Sequence, residues 1–430
     1  MRGSHIIARL ALLLALMVAT PAAAQVIQHP HLDWTRDANI YEVNIRQYTP
    51  EGTIKAFVKH LPRLKQMGVK ILWVMPVQPI GVKYRKGTMG SYYSIRDYTA
   101  VNPEFGTLAD FNHMVKTAHA LGMKVILDWV ANHTAWDSAW AIAHPGWFKH
   151  NAQGELTSYE YDNGREIEYW TDVIGLDYRQ PAVWDAMIGA MKFWVKASDI
   201  DGFRCDVASL MPTPFWLRAR AELDAVKPMF MLAESNDPAI HAAFDMTYDW
   251  KLFDTFADIA KGKSDARALV AWVLHGQDGF PRDAYRMTFT SNHDVNSWRW
   301  SDQELYGDRF AVFAVLAATL PGMPLILGGQ ESKLDKKIAF FEKDAISWKS
   351  FTNTPLYQKL LRLKARHPAL RNGAEGGAIE LVATGNNSVF AFKRTKGRDS
   401  VFVAVNFSND TIYVPRVRRA IAPWGFQIVE

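Results

Sequence analysis

At 430 residues the chain is too long for one small domain and suits one large barrel with a small companion. Its 49% apolar and 22% charged content is that of an ordinary soluble globular protein. The formal charge of +5 is scattered, its longest basic cluster is Arg416–Arg419, and no groove-reading motif accompanies it, which argues against nucleic-acid binding.

The chain opens with Arg2, His5 and Arg9, then the apolar run Leu10–Val18, then Thr20-Pro21-Ala22-Ala23-Ala24. Basic residues, a short apolar core and small residues of the A-x-A type predict a signal peptide at 1–24, cleaved after Ala24. The run is too short for a stable membrane span, so the mature protein is expected in the periplasm or outside the cell, with no span left. The one cysteine, Cys205, permits no internal disulfide and reads as a small buried hydrophobe.

Strand and helix signals then alternate. Asn39–Ile45 reads as a strand. Thr53–Met67 has helical spacing and ends at Gly68. Val69–Val74 is a fully apolar second strand. A helix over Thr107–Leu121 ends at Gly122, before a third strand over Lys124–Asp128. A helix over Pro181–Lys196 precedes the fourth, Asp201–Asp206. Lys227–Glu234, Phe244–Tyr248 and Arg286–Thr290 supply the fifth to seventh. A helix over Asp308–Leu320, a strand over Pro324–Leu327 and a helix over Pro355–Arg366 close the series. Eight strands alternating with helices predict the α/β class, a parallel (β/α)8 barrel of the TIM type over 25–375. An open doubly wound sheet is the rival, and no Gly-rich loop after the first strand favours it.

Two stretches break the rhythm. Asn132–Asp177 is rich in aromatics and has no helical period, which predicts a short irregular insertion after strand 3, about 134–176. From Gly376 the pattern becomes short alternating strands: Ala378–Thr384, Ser388–Arg394, Ser400–Asn406, Thr411–Val414 and Gly425–Val429. That predicts a C-terminal all-β sandwich domain over 376–430.

Catalytic groups of such a barrel sit where its strands end. The third strand runs into Asp128-Trp129-Val130-Ala131-Asn132-His133. The fourth ends in Arg204-Cys205-Asp206, the fifth in Ala233-Glu234, and the seventh runs into Asn292-His293-Asp294. A lone carboxylate after a strand is usually a helix cap. Carboxylates after three strands, with histidines after two, are not explained that way. Glycoside hydrolysis needs one carboxyl group as acid and a second as nucleophile or base, and further negative charge favours its oxocarbenium-like transition state. Arg204, two residues before Asp206 on one strand, points to the same side and is expected to keep Asp206 ionised.

These segments resemble the short conserved regions of the α-amylase family of glycoside hydrolases, family 13. Asp128–His133 matches D-x-x-x-N-H, Asp201–Asp206 matches D-G-F-R-x-D, Glu234 matches the acid after strand five, and Asn292–Asp294 matches N-H-D. Gly90–Phe111 and Ile421–Phe426 add similarity upstream and at the tail, so the likeness spans about 33–430. It implies Asp206 as nucleophile, Glu234 as general acid and then base, and Asp294 as stabiliser of the transition state. Arg204 would orient Asp206, His133 and His293 would bind sugar hydroxyls, and Tyr93 would stack on the sugar being cleaved. The implied activity is retaining hydrolysis of α-glucosidic bonds in maltodextrins or related α-glucan oligosaccharides. A transglycosylase of the same family is the alternative, and a non-catalytic sugar-binding protein on the same fold a more distant one.

Two positions depart from the family pattern. Ser209 and Leu210 stand where many α-amylases carry Lys-His, which favours short maltodextrins over starch. The family's frequent calcium site would use Asn132 and an aspartate at position 175, which is glycine here; Asp172 and Asp177 are the carboxylates that could compensate. No metal or other cofactor is therefore expected to be required, and Asn132 reads as a structural hydrogen bonder. The sequence leaves the oligomeric state open.

Overall fold

The computed structural model describes residues 29–415 and 419–430; the expected signal peptide and most of the Arg416–Arg419 cluster lie outside the described residues. Eight parallel strands close a barrel: β1 (Ile40–Val43), β2 (Ile71–Val74), β3 (Lys124–Trp129), β4 (Gly202–Cys205), β5 (Phe230–Ala233), β6 (Met246–Tyr248), β7 (Tyr285–Phe289) and β8 (Met323–Leu327). Each pairs with its neighbour in sequence, and β8 returns to β1 through Ile40 opposite Leu325. Nearly every strand residue is buried, because helices cover the outside and side chains fill the inside.

Helices α1 (Leu61–Met67), α2 (Leu108–Ala120), α3 (Pro181–Ser198), α4 (Thr213–Asp224), α5 (Trp250–Ala260), α6 (Ala266–His275), α7 (Phe310–Thr319) and α8 (Thr354–Arg366) surround it. Their ends are chemically explicit. Thr107 and Asp110 form a reciprocal capping box at the start of α2, and Gly68 ends α1 at φ 106°, a left-handed value that costs glycine little. The helix expected over 53–67 is two pieces, Ile54–Val58 and α1. Pro62 has no amide hydrogen to continue the ladder, so the chain breaks at Lys59–His60.

Helices α4, α5 and α6 were not legible in the sequence. The first begins at the Pro212-Thr213-Pro214 segment, which reads as a breaker but sits at its first turn, where proline is tolerated. Between β5 and β6 the crossover is only a 3-10 turn, Pro238–Ala242.

The insertion after β3 is more regular than expected. His133–Ala135 pairs antiparallel with Val173–Gly175, and Tyr159–Asp162 with Ile167–Trp170. The first pair anchors the insertion to the barrel rim, and the second is a hairpin projecting over it. The sequence hid both because three- and four-residue strands are too short for a periodic signal.

At the C-terminus, β9 (Ala378–Leu381), β10 (Val389–Lys396), β11 (Asp399–Asn406) and β14 (Phe426–Val429) form one antiparallel sheet; β12 (Ile412–Val414) and β13 (Arg419–Ile421) form a second, small one. The two enclose a core of Val389, Ala391, Ala404, Val414 and Ile421. The opposite face of the larger sheet, with Phe390, Phe392, Val401, Val403 and Val405, is continuous with the barrel core. Arg394 is buried on that face and donates to the carbonyls of Thr319, Leu320 and Arg371, stitching the sheet to the barrel's floor.

Candidate active site

The carboxylates expected at the strand ends do meet at one rim, and Arg204 is their hub. It is fully buried on β4. Its Nη1 donates to Asp206 Oδ1 at 2.9 Å and to Asp128 Oδ1 at 3.0 Å, and its Nε to the Tyr248 hydroxyl at 2.9 Å. Its Nη2 lies 2.9 Å from Glu234 Oε2, an ion pair without hydrogen-bond alignment. One planar guanidinium thus touches three carboxylates and a phenol, more partners than the three N–H bonds of a lysine ammonium could serve. The preceding glycine has a steric reason: a Cβ at Gly202 would collide with the backbone carbonyl of Phe230 on β5.

Backbone bonds lock the acid to the nucleophile loop. The Glu234 amide donates to Cys205, and the Ala208 amide donates to Glu234. The Val207 amide donates to Glu234 Oε2 at 2.8 Å, and Val207 holds a left-handed φ of 38° to do so. For a β-branched residue that conformation is strained.

The electrostatics correct one expectation. Arg204 does not hold Asp206 in the ordinary carboxylate range. Burial, then the charge of Glu234, pushes Asp206 well up, and Arg204 only partly opposes them because it serves Asp128 and Glu234 as well. Burial also raises Glu234, but Arg204, the Val207 amide, His293 and a hydrogen bond from Asp206 outweigh it and leave that group lowered. The two therefore titrate as a pair: the first ionisation stays low, and desolvation and mutual repulsion displace the second, the loss of the shared proton, upward.

Around this pair the other expected residues take their places. Asp128 is buried and accepts from Trp73 Nε1 at 3.0 Å and from the Tyr93 hydroxyl at 3.1 Å as well as from Arg204. The Tyr93 oxygen is 2.8 Å from His293 Nε2. Asp294 is the most open of the three catalytic candidates, its side chain 35% exposed, with Oδ2 3.4 Å from His293 Nε2. His133 is buried beside Trp170 and accepts at Nδ1 from Asn132 Nδ2 at 3.1 Å. Burial drops it to about 3, so the ring is neutral and leaves Nε2–H to donate. Cys205 is buried and desolvation pushes its thiol well up, which suits packing and not nucleophilic attack.

All of Tyr93, His133, Asp206, Glu234, His293 and Asp294 line one cavity of about 660 Å³. The insertion's aromatics were visible in the sequence as a group, able to stack on sugars or to form that segment's core; the other walls were missed. Tyr161 and Trp170 come from the insertion hairpin, Trp250 opens α5, Trp298 follows β7, and Phe340 and Phe341 follow β8. Trp298 packs on Phe340 and Phe341 with ring centroids 5.0 and 5.7 Å apart. Aromatic faces among carboxylates and imidazoles are what a sugar chain needs: flat apolar ring faces to stack on, and polar groups for its hydroxyls. Glu42, inside β1, was also missed; its Oε1 lies 2.5 Å from His293 Nδ1. A charged residue in a strand otherwise apolar and wholly buried was the available signal.

The residues at the calcium position do not fit the ion. Asp177 is gripped by Arg179, whose Nε and Nη2 donate to it at 2.8 and 2.9 Å, and Asp172 pairs with Lys86 at 3.1 Å. The carbonyls of Asn132 and Gly175 already accept from the Leu176 and Lys149 amides. Lys149 lines the same pocket as Asn132, Asp177 and Arg179. Calcium is held by several free carboxylate and carbonyl oxygens, and here both nearby carboxylates are paired with cations while Lys149 adds positive charge to the pocket.

A closed eight-stranded barrel with a cluster of carboxylates at the C-terminal ends of its strands, opening on an aromatic-lined cleft, has the architecture of a barrel enzyme. The family profile described as "Alpha amylase, catalytic domain" matches residues 33–241. An α-amylase structure from Lactobacillus plantarum shares 34% identity with a TM-score of 0.80, covering 88% of this chain and 90% of that one. A noncanonic maltogenic α-amylase from Thermotoga neapolitana shares 32% identity with a TM-score of 0.78, covering 86% of each. The chain belongs to the α-amylase family of glycoside hydrolases. It is also 28% identical, over 88% of its own length, to an α-amylase from Haloarcula japonica, but spans only 56% of that longer protein.

Proposed function

We propose that the protein hydrolyses α-glucosidic bonds in soluble maltodextrins with retention of configuration. The observation that carries this is the contact of one guanidinium with both Asp206 and Glu234, at 2.9 Å each. A shared guanidinium brings the two carboxyls together, which favours the roughly 5 Å spacing of retaining pairs over the roughly 6.5–9.5 Å of inverting ones. Asp206 then attacks the anomeric carbon and Glu234 protonates the departing oxygen. That proton is the one the pair shares; a glycosidic oxygen beside Glu234 draws it to that side. Water, deprotonated by Glu234, releases the sugar from Asp206. Asp294, His293 and His133 bind the hydroxyls of the reacting ring, and Tyr93 supports its face.

The barrel of 25–375 carries the chemistry, 134–176 walls its cleft, and 376–430 buttresses it. Operation without a metal is part of the same proposal, supported by the ion pairs that hold Asp172 and Asp177. Secretion or periplasmic export rests on the Leu10–Ala24 pattern alone; N-terminal sequencing of the exported protein should begin at Gln25. No helix among the described residues is long and apolar enough to cross a membrane.

A transglycosylase of the same family remains the second reading, because Trp250, Trp298 and Arg299 at the cavity wall offer stacking and hydrogen bonds to an incoming sugar. One experiment addresses both readings. Maltoheptaose is followed by proton NMR with the wild type and with Glu234→Gln. Expected are α-anomeric reducing ends first, and a variant slower by about 10³-fold or more. Products longer than seven units would move the assignment to transfer. β-Anomers first would refute a covalent intermediate on Asp206, and inertness on all α-glucans tested would favour the binding-protein reading.

A further inference from the structure

Glu42 occupies the middle of β1, is fully buried, and belongs to none of the motifs that resemble the family. Its Oε1 meets His293 Nδ1 at 2.5 Å, while Oε2 has no hydrogen-bond partner among the described residues. A buried carboxylate half-satisfied in this way is costly unless it holds a cation.

We propose that Glu42 is a positioning residue of the reaction: through His293 Nδ1 it fixes the imidazole so that Nε2 is presented between Tyr93 and Asp294 at the sugar-binding cavity.

The proton count supports this. The Tyr93 hydroxyl has one hydrogen, and it goes to Asp128 Oδ2 at 3.1 Å. The Tyr93 oxygen can then only accept from His293 Nε2, 2.8 Å away. At the other end of the ring Nδ1 faces a carboxylate. Both nitrogens therefore face acceptors, which a neutral imidazole cannot satisfy and an imidazolium can. The ring's charged surroundings come from every neighbouring element: Glu42 from β1, Tyr93 from the loop after β2, Asp128 from β3, Arg204 from β4, Glu234 beyond β5, and Asp294 beside the ring itself. Burial lowers His293, but Asp294 and Glu42 outweigh it and carry it up to about 9. Burial holds Glu42 itself above the usual range, and His293 opposes that. The result is a permanent N–H donor where a neutral histidine would offer either tautomer.

The test reads the ring directly. In ¹⁵N-labelled protein, with His293→Asn to assign the signals, the wild-type ring should carry both protons at pH 7 and titrate near 9. Glu42→Gln keeps an acceptor of the same shape without the charge. It should lower that midpoint by roughly two units or more, and kcat/KM by roughly 10- to 100-fold, chiefly in kcat. A neutral His293 at pH 7 in the wild type overturns the proposal, as does a midpoint that Glu42→Gln leaves in place. If Glu42→Gln fails to fold, the wild-type titration alone decides. The rate effect rests on the proposed glucan hydrolysis; the titration does not, so failure of one is distinguishable from failure of the other.

Discussion

Replacing Arg204 with methionine, which keeps the volume and removes the charge, isolates what one guanidinium does for three buried carboxylates. Asp128, Asp206 and Glu234 would lose the cation that touches each within 3.0 Å. Stranding buried charge by removing one partner costs about 3–5 kcal/mol. A chain with about 400 folded residues has an unfolding entropy near 0.8–0.9 kcal/mol/K, so the melting temperature should fall by about 4–6 °C at neutral pH. The pH dependence follows from the sign of the shifts. Asp128 and Asp206 are already raised in the folded state by burial, and without Arg204 they rise further. A raised carboxyl binds its proton on folding, so stability is lost as pH climbs from the unfolded value, near 4, through the folded one. The deficit of the variant should therefore be small at pH 4.5, where the carboxyls are protonated, and full at pH 7.5. Calorimetry of both proteins at the two pH values measures it, and kcat should fall by about 10²–10³-fold. An equal deficit at both pH values, or a larger one in acid, would refute the view that Arg204 acts by charge compensation.

Trp298→Ala should raise KM by about 3- to 10-fold on maltoheptaose with kcat little changed, since the exposed indole offers about 1 kcal/mol of stacking at the cavity wall; an unaltered KM would remove it from the binding surface. Adding a chelator should leave the melting temperature and the rate unchanged, because Arg179 and Lys86 already occupy the carboxylates a calcium ion would need; a loss of about 3 °C or more would show a bound ion. Gly202→Ala should cost about 3 kcal/mol or more, as the added methyl meets the Phe230 carbonyl. A melting curve within 1 °C of wild type would mean that β4 shifts to accommodate it.

The barrel and its catalytic ends were readable in the sequence because the information was local and repeated. Buried strands such as Ile71–Val74 read as apolar runs, and polar residues at their ends stood out. Asp128, Arg204, Asp206, Glu234 and Asp294 each followed such a run. What stayed hidden depended on contacts distant in sequence. Phe340 reaches the site because loops more than two hundred residues apart pack together, Tyr93 against it with ring centroids at 6.2 Å. Arg204 does lower Asp206, but the expectation that this would keep it in the ordinary range failed for the same reason: a pairwise reading could not foresee the depth of burial or the charge of Glu234 beside it. Glu42 was visible as a residue but carried no meaning until His293 lay beside it.

The larger C-terminal sheet has one further consequence. Because Phe390, Phe392 and Val403 belong to the barrel's own core, and Phe426–Val429 pairs with β11, this last strand helps complete that sheet. A ribosome delivers those residues after every strand of the barrel. The barrel emerging ahead of them leaves an apolar floor uncovered near α7 and α8, so the fold closes only after those residues have emerged. Truncation anywhere beyond Gly376 should therefore yield aggregation and not a smaller enzyme, and heating should give one transition for the whole molecule.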